Sequence, residues 1–155
     1  MDIDLRDIFI RADRSTRKLR ELMKECGYDR NYEELENVEY DPQDPDAAQT
    51  CTELTRFFRL IDQAAEILEY LKMPVKYVGQ LWKNKNDRYE LQGKELTCGS
   101  PVEILIENES ADPDQEHHYT EWFCTRIEYN QQEQRYYAVG RPGMCLEGVI
   151  ARKRG

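Results

Sequence analysis

The stretch EYLKMPVKYVGQLWK, residues 69–83, joins two hydrophobic periods and decides how the chain divides. Downstream of it, Val102, Ile104 and Ile106 are separated by single residues, which is the period of a strand with one buried face. Pro74 ends any helix that arrives from upstream, because proline has no amide N–H and its ring clashes with the preceding turn. Upstream, apolar residues recur at alternating steps of four and three, which indicates one helix face. They are Ala47, Cys51, Leu54, Phe58, Ile61, Ala65 and Leu68.

These two periods predict an α+β protein of 155 residues with two parts. Residues 1–73 are predicted to form an N-terminal helical hairpin with an acidic linker at 27–46. Residues 74–155 are predicted to form a small antiparallel β-barrel, because short strands alternate with Asn, Gly and Pro turns. An SH3-like barrel is favoured, with an OB-like barrel as the alternative.

The ends of both helices are marked in the sequence. Helix 1 is predicted over residues 4–26, with Gly27 as its stop. Helix 2 is predicted to begin at Pro45 after an Asp44 N-cap and to end at Met73. The apolar face assigned to helix 1 has heptad-like spacing. It consists of Leu5, Ile8, Ala12, Ser15, Leu19, Leu22 and Cys26.

Helix 2 carries a second apolar stripe beside the first. Together the two stripes make an arc too wide for helix 1 alone to cover, so the second must meet the β domain or another copy of the protein. Because Pro74 leaves only a short connection, we expect residues 67–71 to contact the barrel. The members of the second stripe are Phe57, Leu60, Ala64, Ile67 and Leu71.

Seven strand-like segments in the second part are expected to form about five or six strands, and the linker before helix 2 is predicted to have no regular structure. The strand-like segments are 76–83, 88–91, 95–97, 102–107, 119–129, 135–139 and 146–152.

The net charge of −9 limits the kind of partner that the protein can bind, because acidic side chains are concentrated at residues 29–46. An acidic surface repels phosphate backbones, so loose binding to nucleic acid is disfavoured.

Five cysteines without a CxxC pair indicate reduced thiols. No apolar run approaches the roughly 20 residues of a membrane span, and the acidic N-terminus is unlike a signal peptide. The sequence predicts a cytoplasmic protein without a membrane partner.

No catalytic signature or cofactor motif is found. Ser100 and Cys98 lie on a turn with no histidine nearby in sequence, and no glycine-rich phosphate loop is present. The pair His117–His118 lies among acidic residues, but adjacent residues of an extended chain point to opposite sides, which disfavours a metal site. We therefore predict no enzyme activity, no cofactor and no metal.

Aromatic and arginine side chains on the predicted strands are the candidate interaction residues. On segment 119–129, alternation places Phe123 and Ile127 on one face and Trp122 and Arg126 on the other. The second face suits a protein interface or a base-stacking platform. The remaining alternative is structural, with Trp122 packed under helix 2 and Arg126 paired with a glutamate, either Glu128 or Glu103. The candidate surface consists of Trp82, Arg88, Tyr89, Trp122 and Arg126.

A series of short motifs runs along the second part of the chain. They are GQL at 79–81, NKNDRYEL at 84–91, ELTCGSPVEI at 95–104, Trp122, RIE at 126–128, YY at 136–137 and LEG at 146–148. In this order they resemble an uncharacterised bacterial family of small proteins, a domain of unknown function often found on mobile elements such as conjugative elements and prophages. The resemblance covers about residues 60–154 and implies an accessory protein of mobile DNA, but no activity, cofactor or catalytic residue.

The function predicted from the sequence is that of a non-enzymatic macromolecular interaction protein. Its partner is expected to be another protein, or a second copy bound through the helical arm. The alternative is a small barrel that binds nucleic acid through Trp82, Tyr89, Trp122 and Arg88 or Arg126. Clustering of the basic residues beside exposed aromatics would favour that alternative, whereas pairing of the same residues with acids would count against it.

Overall fold

A computed structural model of the chain describes residues 3–109 and 118–155. It shows a mixed α+β protein with two helices and a curled antiparallel sheet that forms a half-barrel. By its internal contacts the chain divides into two compact units, residues 1–72 and 73–155.

The first unit contains both helices and a short β ladder. Its elements are α1 (Leu5–Glu25), β1 (Tyr28–Asp29), β2 (Glu34–Leu35) and α2 (Pro45–Lys72). The predicted start of α2 is confirmed, since Asp44 accepts a hydrogen bond from the amide of Asp46 at 3.0 Å. Gly27 follows α1 with φ +67°, as a glycine stop requires.

Two sequence expectations for this unit are wrong. The linker is partly ordered, because β1 and β2 pair antiparallel with Tyr28 opposite Leu35. The face assigned to α1 is also displaced, since Leu5, Ile8 and Leu22 are exposed. Ala12, Leu19 and Cys26 of the assigned face are half-buried, whereas the buried side chain is Met23, which was not assigned to that face.

The core of the first unit joins α1, the β ladder and α2. Met23, Leu35 and Phe58 form its buried centre. Contacts between the helices run in opposite chain directions, since Asp13 of α1 meets Lys72 at 2.8 Å and Arg20 meets Asp62 at 3.2 Å. The first stripe of α2 is thus the one that packs inside the unit, with Phe58 and Ala65 buried.

The second unit is a seven-stranded antiparallel sheet with the order β5-β4-β3-β9-β6-β7-β8. The C-terminal strand β9 lies at the centre, between β3 and β6. It begins later than the predicted segment 146–152, because Leu146 enters the core before a turn at Gly148. The strands are β3 (Val75–Lys83), β4 (Tyr89–Leu91), β5 (Lys94–Glu95), β6 (Pro101–Glu109), β7 (His118–Asn130), β8 (Arg135–Ala138) and β9 (Ile150–Arg154).

One face of this sheet holds the core of the second unit. Alternation along β6 sends Val102, Ile104 and Ile106 into that core and turns Glu103 and Leu105 the other way. We call the side of the sheet that points away from the core the outer face. The buried core residues are Leu81, Tyr89, Leu91, Leu96, Val102, Ile104, Ile106, Ile127, Ala138, Leu146 and Ala151.

Candidate interaction surface

The outer face is continuous across the central strands because cross-strand partners point to the same side of a sheet. Arg152 of β9 pairs with Val78 of β3 and with Glu103 of β6. Glu103 also lies opposite Cys124 of β7. Four strands therefore contribute side chains to one surface.

Strand β7 confirms the alternation expected from its sequence. Ile127 is fully buried, and Phe123 packs partly against the core. Trp122 and Arg126, which have the opposite parity, point to the outer face. Trp122 lies opposite Leu105, so a half-buried apolar pair adjoins the polar residues of this face.

A buried carboxylate lies near the middle of the outer face. Glu103 is only 1% exposed and is bonded by the Nε atoms of both Arg152 and Arg154. Arg154 also donates from Nη1 to the carbonyl of Met73 at 2.8 Å, which ties β9 to the residue that precedes β3. A carboxylate without these donors would be costly to bury, so the arrangement depends on both arginines.

The two arginines determine the ionisation of Glu103. Burial acts to raise the pKa of this carboxyl, but hydrogen bonds and charges from Arg152 and Arg154 outweigh burial and bring its pKa below the ordinary value. The Cys124 sulfur lies 3.6 Å from Glu103 Oε1. Burial, and next the negative charge of Glu103, raise the pKa of the Cys124 thiol. This thiol is therefore a poor nucleophile at neutral pH.

Trp122 extends this cluster toward solvent. The guanidinium carbon of Arg152 lies 4.2 Å from the centroid of the Trp122 ring, which is stacking distance for a cation–π contact. Arg152 thus serves Glu103 and Trp122 together. The predicted alternative in which Arg126 pairs with a glutamate is also observed, since its Nε lies 3.0 Å from Glu128 Oε1.

An exposed apolar strip occupies β3 and β9 beside the cluster. Trp82 is 49% exposed, and Val78 and Ile150 are exposed with it. Gly148 lies beneath the indole, because a Cβ added at this glycine would be 3.5 Å from Trp82 Cη2. Three large apolar groups on adjacent strands make a surface of the kind that partner proteins cover.

Four of the five candidate residues lie on this face, and one does not. Trp82, Trp122 and Arg126 belong to it by register, and Arg88 joins it through an ion pair of 2.6 Å to Glu95. The prediction that Tyr89 belongs to the interaction surface is wrong, because its side chain is 5% exposed and lies in the core. It has the parity of Leu91, which is buried opposite Leu81.

Basic side chains of this unit are largely paired with acids. Lys83 lies 3.0 Å from Asp87, and Arg88 and Arg126 have glutamate partners. Arg152 and Arg154 share Glu103. These cations therefore lie near the aromatics of the outer face and each has a carboxylate partner, although Arg152 and Arg154 share one.

Sequence reasoning missed the buried state of Glu103 and the strip residues Val78 and Ile150. Glu103 alternates with apolar residues, which predicts an exposed side chain. It is buried because β9 lies beside β6, a pairing between distant segments that no local pattern reveals. The RKR run at 152–154 was the only sequence signal for cationic partners of Glu103, but such a run taken alone predicts a solvent-exposed basic segment.

Metal-ligand groups and membrane-spanning helices are two further features that bear on the function. Within 3–109 and 118–155 there is no group of three or more His, Cys, Asp or Glu that could hold a metal ion. His117 and its acidic neighbours Asp112, Asp114 and Glu116 lie outside those residues, and the side chain of His118 is not described. Over the same part of the chain, neither helix combines the length and apolar content of a membrane span.

These observations define a mixed α+β protein whose half-barrel presents an outer face of aromatic and apolar side chains beside arginine–glutamate pairs. A domain of unknown function, DUF5348, is found over residues 79–153, which confirms the resemblance to an uncharacterised domain. The matched residues include most of β3 and most of β9, and therefore the greater part of the outer face. No curated protein and no solved structure matches the chain.

Proposed function

We propose that this chain is a non-enzymatic interaction protein that binds another protein through the outer face of its half-barrel. The observation that carries the proposal is the exposed strip of Val78, Trp82 and Ile150 beside a buried carboxylate, Glu103, that is held by two arginines. Interfaces take their affinity chiefly from a few aromatic and apolar anchors surrounded by polar groups. The strip supplies the anchors, and Glu103 with its arginines supplies a rigid polar border.

The proposal also covers the architecture and setting predicted from the sequence. A helical hairpin joined to an SH3-like barrel, with an OB-like barrel as the alternative, is our interpretation of the two helices and the half-barrel. The resemblance to small proteins of bacterial mobile elements supports an accessory role in such an element. The sequence features given above support a cytoplasmic location.

Binding of nucleic acid is the second candidate function. The stack of Arg152 on Trp122 and the exposed indole of Trp82 are groups on which bases could stack. Pairing of Arg126 and Arg152 with carboxylates argues against it, because phosphate binding draws on uncompensated cations. A protein partner is therefore the better supported of the two.

Affinity purification from the native host tests the proposal with a matched pair of aromatic variants. We expect Trp82→Ala to lose a stoichiometric partner protein that the wild type retains. The control Tyr32→Ala removes an exposed aromatic ring from the first unit and should retain that partner. A partner that binds both variants equally would contradict the use of the strip.

The two candidate functions separate in a second measurement. Fluorescence polarisation with a labelled single-stranded oligonucleotide, titrated at low and moderate salt, should show no binding that depends on Trp82. Salt-sensitive binding lost in Trp82→Ala but kept in Tyr32→Ala would replace the protein partner by nucleic acid.

A further inference from the structure

The second stripe of α2 is exposed along its whole length. Leu60 is 52% exposed and Ile67 is 64% exposed, and Phe57, Ala64 and Leu71 are exposed as well. Apolar side chains repeated along four turns, with none buried, leave α2 with one covered and one uncovered apolar face. We call the uncovered set the α2 seam: Phe57, Leu60, Ala64, Ile67 and Leu71.

The spacing of the α2 seam is that of a helix–helix contact. Its members follow one another at steps of three, four, three and four, the repeat that keeps one line of side chains facing another helix. At 1.5 Å per residue the seam is about 21 Å long. A second helix of about the same length would therefore bury the whole α2 seam.

The seam is neutral, and this bears on its occupant. Acidic and basic side chains elsewhere on α2 are engaged inside the first unit and do not compete for a partner at the seam. A neutral seam is complementary to another neutral seam, whereas a charged partner would lose hydration without gaining a counter-charge. The ion pairs of α2 between residues 53 and 72 include Arg56–Glu53, Arg59–Glu33, Asp62–Arg20, Glu66–Arg30, Lys72–Glu69 and Lys72–Asp13.

The seam is also symmetric about its centre. Ala64 has Leu60 and Ile67 on either side, and Phe57 and Leu71 beyond them, each seven residues away. A two-fold axis through Ala64 would therefore bring large apolar side chains opposite large ones and alanine opposite alanine. A small residue at the crossing point lets two helices approach to about 8 Å.

We propose that the protein forms a two-fold symmetric dimer in which α2 packs antiparallel on α2 of a second copy, with the axis near Ala64. Leu60 then lies beside Ile67 of the second copy, and Phe57 lies toward its Leu71. Such an interface is self-complementary, as closed dimers require. All the residues proposed for this interface belong to the first unit.

Sedimentation equilibrium of the full chain tests the dimer with two lysine substitutions. The wild type should show a concentration-dependent mass approaching twice 18.5 kDa. Leu60→Lys places a charge in the seam and should weaken dimerisation by about 100-fold or more. Leu5→Lys alters a side chain that is 79% exposed on α1 and should leave the dimer constant within about three-fold. Circular dichroism should show equal helix content in all three proteins.

Mixing experiments test the orientation. Ile67→Glu should also be monomeric, and equal amounts of Leu60→Lys and Ile67→Glu should form a heterodimer, because lysine and glutamate meet only in the antiparallel arrangement. Recovery by Leu60→Lys with Leu60→Glu, and not by the first mixture, would show a parallel pair and overturn the proposal.

Two further outcomes would also overturn it. One is a dimer that Leu60→Lys leaves intact, which places the interface elsewhere. The other is a wild-type protein that stays monomeric up to about 100 µM, well above the dissociation constants of specific dimers. In that case, a melting temperature that Leu60→Lys lowers more than Leu5→Lys does would show that the seam is buried by another part of the same chain.

Discussion

The guanidinium of Arg152 lies over the indole of Trp122 at 4.2 Å while its Nε bonds the buried carboxylate of Glu103. One side chain thus links a charge inside the outer face to an aromatic ring at its surface. The position of Trp122 therefore depends on Glu103, although the two residues lie on different strands. This dependence leads to the first two predictions.

Replacing Glu103 by Gln should destabilise the second unit by about 3 kcal/mol, because two largely buried arginines lose the charge that compensates them. Both tryptophans lie in this unit, so urea unfolding followed by tryptophan fluorescence reports on it directly. The control Glu128→Gln alters an exposed pair and should cost less than about 1 kcal/mol. Equal losses of stability in the two variants would show that the buried ion pairs of Glu103 contribute no more than the exposed pair of Glu128.

The stability of the second unit should fall in acid through the same carboxylate. The pKa of Glu103 is lower in the folded protein than in the unfolded chain, so its contribution is complete above the unfolded value of about 4.3 and is lost as the pH falls through the folded value. We expect the urea midpoint of the wild type to decrease below about pH 4.3. Glu103→Gln should show a weaker decrease, and parallel pH curves for the two proteins would assign the acid sensitivity to other groups.

Substitution of Gly148 should destabilise the second unit because of the backbone conformation at this position. Its φ of +76° disfavours any residue with a Cβ, so Gly148→Ala should cost about 1–2 kcal/mol. Gly143 is the control, because no atom lies within 4 Å of a Cβ built there. Gly143→Ala should leave the urea midpoint unchanged or raise stability by up to about 1 kcal/mol. A Gly148→Ala protein as stable as the wild type would contradict this account of the turn.

Neighbouring phenylalanines on α2 should differ sharply. Phe58 is buried with Met23 and Leu35, so Phe58→Ala should cost the first unit about 3–5 kcal/mol. Phe57 is exposed, and Phe57→Ala should cost less than about 1 kcal/mol at a protein concentration low enough to exclude dimers. Loss of ellipticity at 222 nm follows this unit, which contains both helices. Similar costs for the two variants would mean that the exposed phenylalanine is also covered.

Local signals in the sequence predicted the ends of the helices and the alternation of β7. Asp44, Pro45 and Gly27 act through their own backbone geometry, and Ile127 and Trp122 through the two-residue period of a strand. Each of these features depends on a few adjacent residues. They therefore needed no knowledge of the neighbouring elements.

The face of α1 could not be assigned in the same way. Two overlapping stripes share Ala12 and Leu19, one continuing through Leu22 and the other through Met23. Both have helical spacing, and only contact with α2 selects the stripe that includes Met23.

The outer face was predicted only in part, because it depends on which strands become neighbours. Alternation within β7 was enough to place Trp122 and Arg126 on the outer face. Tyr89 was wrongly assigned to this face, because the side to which it points depends on the alignment of β4 with β3, which the turn between the two strands determines. The burial of Glu103 depends on β9 lying beside β6, a contact between distant segments of the chain.

The central position of β9 constrains the order in which the second unit can fold. Strands β3 to β5 form one sequential group and β6 to β8 another, and neither group can pair with the other directly, because β9 separates them in the sheet. During synthesis both groups must wait, with unpaired edges, until residues 150–154 leave the ribosome. Contacts between segments so far apart are slow to form. Removal of residues 150–154 should thus produce two disconnected and aggregation-prone groups of strands.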